Sequence, residues 1–237
     1  ICHRLIAFWL GDSCYLFASN SSSGESRTYV SYSRDFRMIL AGFGVVLKRI
    51  TRDDIEQIRR WRNQDFVREQ MFHQDLITEI QQDAWFDSVN NRFNYYFVIH
   101  VDELPIGLIY AKDVNPEAMV GEGGIFIGEP AYLTSDSPAR ASMLLLYFCF
   151  NKLMLSSSLI RIKKGNVVAL RYNELLGYVV QQRSGEELLL SLTKEDFQRS
   201  IMVSRVLRLL EPESIQLTGL PSDKNLDQLN ALLISNR

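Results

Sequence analysis

Apolar and polar residues change rhythm along this chain, and each rhythm predicts an element. GVVLKRIT (44–51) alternates and then stops at a turn, as a half-buried strand does. Thr51 or Asp53 can cap the following helix, because their side-chain oxygens accept the free N–H groups of a first turn. In that helix Ile55, Ile58 and Trp61, with Phe66 just beyond, fall on or near one face. Arg62 and Asn63 stand at its end, where an arginine complements the negative pole of the helix dipole.

Two runs, 95–101 and 106–112, read as antiparallel strands joined by a turn at DELP. GGIFIGEP (123–130) reads as a third strand ended by Pro130. SPARASMLLLYFCFNKL (137–153) is apolar nearly all round, which predicts a buried helix. Ser137 is its expected N-cap, with Pro138 at the first position, where no N–H is needed. Residues 158–164 form a strand, and 166–177 a helix capped by Asn166 and stopped by Gly177. YVVQQR and ELLLSLT make a closing hairpin, and 194–210 and 225–233 read as added helices. No internal repeat is visible. This order predicts an α/β (α+β) architecture, a mixed sheet of about six or seven strands with helices on both faces.

Composition narrows the function. The 237 residues are 46% hydrophobic and 23% charged, with a net charge of −2. That balance argues against a general nucleic-acid binder, which needs excess cations to neutralise phosphates. No apolar run reaches the roughly 18 residues of a transmembrane helix, so no membrane partner is expected. Cys2, Cys14 and Cys149 have no metal-ligand spacing and cannot all pair, so a reducing compartment, the cytoplasm, is expected and no metal. RLIAFWLGDSCYLFASN resembles a secretory apolar segment, but Gly11-Asp12-Ser13 breaks it. SNSSSGES (19–26) reads as a linker, and Met38 is a candidate native start. The expected organisation is an extension over 1–43, a domain over 44–197 and a helical extension over 198–237.

Three segments between about 45 and 197 resemble the GNAT N-acetyltransferase superfamily. WRNQDFVREQMFHQDLITEIQQDAWF (61–86) is similar to the segment after the first helix in the nucleotide-amino-sugar acetyltransferases of flagellin-glycan, nonulosonic-acid synthesis. GEGGIFIGEP resembles the family's bulged fourth strand. NVVALRYNELLGY resembles its late motif of Asn, then Ala three residues on, then Gly and an aromatic eleven and twelve residues on. The resemblance implies the GNAT fold, acetyl-CoA as cofactor and a small-molecule amine acceptor.

It also implies site residues. The backbone of Ile125, Phe126 and Ile127 would hold the pantetheine arm. Ser137, Ala139, Arg140 and Ala141, at a helix N-terminus, would hold the pyrophosphate, whose charge the dipole and free N–H groups favour. Asn166 and Asn173 are further cofactor contacts. The family's loop of Gln or Arg, two residues, Gly, one residue, Gly or Ala is replaced here by Asp136-Ser137-Pro138-Ala139-Arg140-Ala141. Glycine is absent, and an acid stands where a Gln or Arg is usual.

For chemistry, a neutral amine must lose a proton as it attacks the thioester. Glu122 is the expected base, with Glu129 as runner-up. Many relatives place a Tyr seven residues past the motif Asn to protonate the departing thiolate. That position is Asn173 here, and Tyr172, one residue and about 100° of helix earlier, is the candidate acid. Arg62, Asn63, Met71, His73 and Trp85 would line or support the acceptor pocket, guanidinium meeting diphosphate and rings stacking on base or sugar. The alternative is that Trp61, Phe66 and Trp85 are core and the arginines a solvated face.

Three functions stay open. The first is N-acetylation of a nucleotide-linked amino sugar. The second is transfer to a protein N-terminus or a polyamine, though a polyamine site should be strongly acidic. The third is a non-catalytic module that keeps the fold. The helix at 194–210 would support a homodimer or cover the sheet.

Overall fold

The computed structural model describes residues 5–10, 13–18, 38–204 and 215–218. The chain divides into two units, 1–36 and 37–237. In the first, β1 (Leu5–Leu10) and β2 (Ser13–Ala18) pair antiparallel, with Leu10 opposite Ser13.

The second unit is a mixed sheet with helices. Its strands are β3 (Ile39–Gly42), β4 (Val45–Arg49), β5 (Tyr95–Val101), β6 (Leu104–Asn115), β7 (Val120–Ile127), β8 (Ser157–Lys163), β9 (Val179–Ser184), β10 (Glu187–Thr193) and β11 (Gln216–Thr218). They lie in the order β11-β3-β4-β5-β6-β7-β8-β10-β9. Every neighbouring pair is antiparallel except β7 and β8. The helices are α1 (Ile55–Asn63), α2 (Asp65–Arg68), α3 (Glu79–Val89), α4 (Ser137–Asn151), α5 (Val167–Leu176) and α6 (Lys194–Arg199).

Strand periodicity divides the core in two. Phe97 and Ile99 join Leu144, Phe148 and Phe150 of α4 in one cluster. Tyr96 and Val98, on the opposite face of β5, join Ile58 and Trp61 of α1 and Phe86 of α3 in another. A central strand covered on both faces must be apolar at successive positions, which is why YYFVIH does not alternate. The all-round apolar α4 is buried as its sequence requires.

Local chemistry sets the ends of these elements. Asp102 and Glu103 both take positive φ, 48° and 65°, between the paired Val101 and Leu104. That two-residue turn matches the twist of the strands. It also puts Leu104 and Pro105, expected in the turn, inside β6. Asn166 Oδ1 accepts the Ala169 N–H at 3.0 Å, and Gly177 closes α5 at φ 102°, the left-handed cap that glycine adopts without strain. Gln81 and Thr78 form a reciprocal capping box that starts α3.

Several expectations are corrected. Ile39–Gly42 is a sheet strand, and Met38 and Leu40 are buried, so ordered core begins before the expected boundary at 44. The sheet has nine strands among the described residues, because β3 was expected in the extension and β11 in a helical tail. The helix expected over 194–210 stops at Ser200, which is extended (φ −64°, ψ 146°). Its Oγ then accepts the Val203 N–H at 3.1 Å and caps a new helical stretch at 201–204. Ser137 is the first residue of α4 rather than its cap, a place Asp136 takes. The helix expected over 225–233 lies outside the described residues.

Candidate functional site

β7 and β8 pair at only three positions, Val120–Ser157, Gly121–Ser158 and Glu122–Leu159. Beyond Glu122 they part, while β7 stays bonded to β6 from Gly123 to Ile127. One backbone edge of β7 therefore has no strand opposite, and its peptide groups face a cleft of about 1180 Å³. Glycine keeps the cleft open. A Cβ on Gly124 would lie 2.3 Å from the ring of Tyr110, its cross-strand partner, so only glycine lets that ring lie across the strand.

The last paired residue carries the central carboxylate. Glu122 Oε1 lies 3.1 Å from Lys112 Nζ, and Oε2 lies 3.1 Å from Arg161 Nε. Its side chain is 16% exposed. Arg161 also reaches Glu187 at 3.8 Å. All four residues line the cleft.

One wall comes from α1, α3 and the loop between α2 and α3. Of the four arginines in 59–75, three find acceptors close by in sequence. Arg59 and Arg60 bond Glu56, and Arg68 bonds Asp65 and the Gln74 carbonyl. Arg62 does not: its guanidinium lies 5.9 Å from the Phe126 ring, and its Nη1 is buried with no hydrogen-bond partner. Burial lowers its pKa from the ordinary 12.5, which leaves it a cation at neutral pH. Trp85 meets Tyr96 edge-on at 5.3 Å, and Tyr96 stacks on Tyr110 at 4.8 Å. Met71 and an exposed His73 complete this wall.

One expected wall residue, Asn63, serves the scaffold, as does the nearby Trp61. Asn63 clamps Ile77, donating to its carbonyl at 2.9 Å and accepting its N–H at 2.8 Å, and it does not line the cleft. Trp61 is fully buried, and its Nε1 donates to Glu129 Oε1 at 2.8 Å, which occupies the runner-up base. The core reading thus holds for Trp61, while Phe66 and Trp85 are half-buried and face the cleft.

The other wall is the open edge of β7 with α4 and α5. Ile125, Phe126, Ile127, Asn166, Tyr172 and Asn173 line it. Ser137, Ala139, Arg140 and Ala141 do not. Ser137 is buried and its N–H donates to Ser135 Oγ at 3.3 Å. Ala141 is fully buried in the core. Arg140 pairs with Asp136, and its Nη1 points at the turn around Gly44. Pro138 has no N–H, and the Arg140 N–H goes to the Asp136 carbonyl, so Ala139 carries the spare donor of this turn. Asn166 Oδ1 is spent as a cap, and Asn173 Nδ2 donates to the Ala169 carbonyl at 2.8 Å. The Tyr172 hydroxyl donates to the Pro138 carbonyl at 2.9 Å and is bonded to Ser142 Oγ at 2.7 Å. Burial pushes its pKa well up, so it stays protonated.

The sequence reading missed Gln82, Tyr110, Lys112 and Arg161, all in the lining. Gln82 carried a signal: it sits four residues before Phe86, on the buried face of α3. The strand residues carried none, since a charge on a strand reads as solvated until its cross-strand partner is known. Among the described residues no group of three His, Cys, Asp or Glu is gathered for a metal, and no helix is long and apolar enough to cross a membrane.

No family model matches the chain, and no curated protein matches it. Solved structures do. A spermidine N-acetyltransferase from Vibrio cholerae, in complex with CoA and spermine, superposes with a TM-score of 0.59 at 16% identity, covering 65% of this chain and 98% of its own. FdhC, a nucleotide-linked sugar GNAT, superposes at 0.59 with 21% identity, covering 68% and 93%. An aminoglycoside acetyltransferase in complex with coenzyme A superposes at 0.57 with 16% identity, covering 65% and 98%. At such identities the likeness is one of fold: this chain's mixed sheet with its helices is the fold of these solved N-acetyltransferases.

Proposed function

We propose that this protein is an acetyl-CoA-dependent N-acetyltransferase whose acceptor is the primary amine of an anionic small molecule, a nucleotide-linked amino sugar. The observation that carries the reading is the parting of β7 from β8. It leaves a row of unpaired peptide groups along Gly123–Ile127, beside a cleft open to both walls. Such an edge can pair with the amides of a pantetheine arm as a strand would.

The residues fit the arm better than the pyrophosphate. The edge of β7 is free, whereas the first turn of α4 offers Ala139 as its spare donor. Acetyl-CoA, when bound, supplies the acyl carbonyl and a thiolate leaving group. The amine nitrogen attacks the carbonyl carbon, the C–N bond forms and the C–S bond breaks. Glu122, held in place by Lys112 and Arg161, takes the proton that the amine loses, directly or through water. The Tyr172 hydroxyl is committed to the start of α4, so the thiolate takes its proton from water.

Charge supports the acceptor class. The lining holds four cations, Arg62, Lys112, Arg161 and Lys163, against two carboxylates, Glu122 and Glu187. That excess attracts phosphates and repels a polyamine. The shelf of Trp85, Tyr96 and Tyr110 suits a sugar or base face. A second reading, a binding module without catalysis, is favoured by the depleted α4 turn.

The test is a thiol-release assay with acetyl-CoA against nucleotide-linked amino sugars, free amino sugars and spermidine. The reading expects CoA release and N-acetyl product with the nucleotide sugars. Preference for spermidine contradicts the acceptor class. No release, with cofactor bound, leaves the second reading.

A further inference from the structure

Two residues of the cleft lining each carry a buried donor that nothing in the protein satisfies. Among the described residues, Arg62 Nη1, Gln64 Oε1, Arg68 Nε and Gln82 Nε2 are buried side-chain atoms without a hydrogen-bond partner. Gln64 and Arg68 lie outside the cleft lining, whereas Arg62 and Gln82 are part of it. Gln82 is 4% exposed. Arg62 belongs to α1 and Gln82 to α3, two helices packed together on the acceptor wall.

Leaving an amide or a guanidinium nitrogen buried and unpaired costs folding free energy. A methionine at 82 would fill similar space with no such cost. The fold therefore gives no reason for either group. Nor does a neighbouring carboxylate satisfy Arg62. The two that line the cleft are engaged elsewhere, Glu122 by Lys112 and Arg161, and Glu187 by Arg161. Both orphan atoms are N–H donors, so what completes them must present acceptor oxygens. Because one donor is a buried nitrogen of a cation, an anionic oxygen suits it better than a hydroxyl.

We propose that Arg62 and Gln82 form the subsite that binds the phosphate oxygens of the acceptor, Arg62 through charge and Gln82 through its amide. This rests on the assignment of the α1/α3 side as the acceptor wall, and it adds Gln82 as a specificity-determining residue. Gln82 is retained for the ligand at the expense of the fold.

The experiment uses the full chain and four probes: UDP-N-acetylglucosamine, which has no free amine and cannot react; N-acetylglucosamine; glucuronate; and acetyl-CoA. Binding and melting temperature are measured for wild type, Arg62→Met, Gln82→Met and Gln82→Glu. Wild type should bind UDP-N-acetylglucosamine and neither single sugar. Arg62→Met and Gln82→Met should each weaken that binding by roughly 10- to 100-fold. Gln82→Glu should weaken it at least as much, because a carboxylate then faces the phosphates. Acetyl-CoA binding should be unchanged in all three. Gln82→Met should raise the melting temperature by about 2–4 °C, which a merely structural glutamine would not do. The proposal is overturned if UDP-N-acetylglucosamine does not bind wild type, if glucuronate binds in its place, if the variants bind it as wild type does, or if Gln82→Met melts lower. Loss of acetyl-CoA binding in wild type, with nucleotide-sugar binding intact, would instead remove the transferase reading and leave this subsite standing.

Discussion

The two walls of the cleft are made of different material. The wall proposed for the donor is largely backbone, the edge of β7 and the start of α4, with its lining asparagines and tyrosine tied into the scaffold. The acceptor wall is side chain: Arg62, Gln82 and the ring series Trp85, Tyr96, Tyr110. Backbone groups are the same whatever residues carry them, so a donor site built from them survives wide sequence change. Side-chain recognition does not. The chain superposes on solved N-acetyltransferases at 0.57 to 0.59 while sharing 21% identity or less with them, a likeness of fold.

Glycine substitutions sharpen the comparison most. A Cβ on Gly128 would lie 2.0 Å from the fully buried Trp61 ring, which braces the acceptor wall. Gly128→Ala should cost about 3 kcal/mol in urea unfolding, the upper range for overpacking. Gly165, on the donor side, has nothing within 4 Å of a built Cβ, and Gly165→Ala should stay within about 0.5 kcal/mol. Equal costs would mean that Trp61 can move.

Glu122 stands where the walls meet. Glu122→Gln should lower kcat by about 100-fold, the lower range for a lost general base, while leaving acetyl-CoA affinity intact. A variant of near-normal kcat would reduce Glu122 to an ion-pair partner.

Tyr172→Phe removes a hydroxyl that joins α5 to α4. It should lose about 1 kcal/mol of stability. Its kcat should fall by much less than the ~100-fold expected of a lost proton donor. A fall of that size would restore Tyr172 as the acid.

One effect shows only at alkaline pH. Burial pushes the Cys149 thiol from its ordinary 9.0 up to about 12. Above pH 9 the unfolded chain sheds a proton that the fold retains, so this contribution to stability is full below pH 9 and lost as pH rises towards 12. Urea midpoints plotted against pH should decline less steeply in Cys149→Ala than in wild type.

Much of the fold was legible because burial imposes period. The apolar surround of 137–153 required a covered helix, and Asn166 and Gly177 marked the ends of α5 through cap chemistry. β3 and β11 were not legible. Short edge strands are defined by the strand they join, and MILAGF beside a serine-rich run carries no such information. The break at Ser200 was hidden inside a continuous amphipathic pattern. In the candidate site, Arg62, Met71, His73, Trp85 and Glu122 fall in the cleft lining. Asn63 and the 137–141 group do not: Asn63 is held by Ile77, Ser137 by Ser135 and Arg140 by Asp136, and Ala141 is core. Gln82 shares the helix face of Phe86, a signal that was overlooked because glutamine on a helix is ordinarily solvated.

The most direct measurement is calorimetric titration of the folded chain with acetyl-CoA and with free CoA. If the open edge of β7 is a pantetheine site, both should bind in the micromolar range, in one-to-one stoichiometry. A folded protein that takes up neither at millimolar concentration would contradict the account.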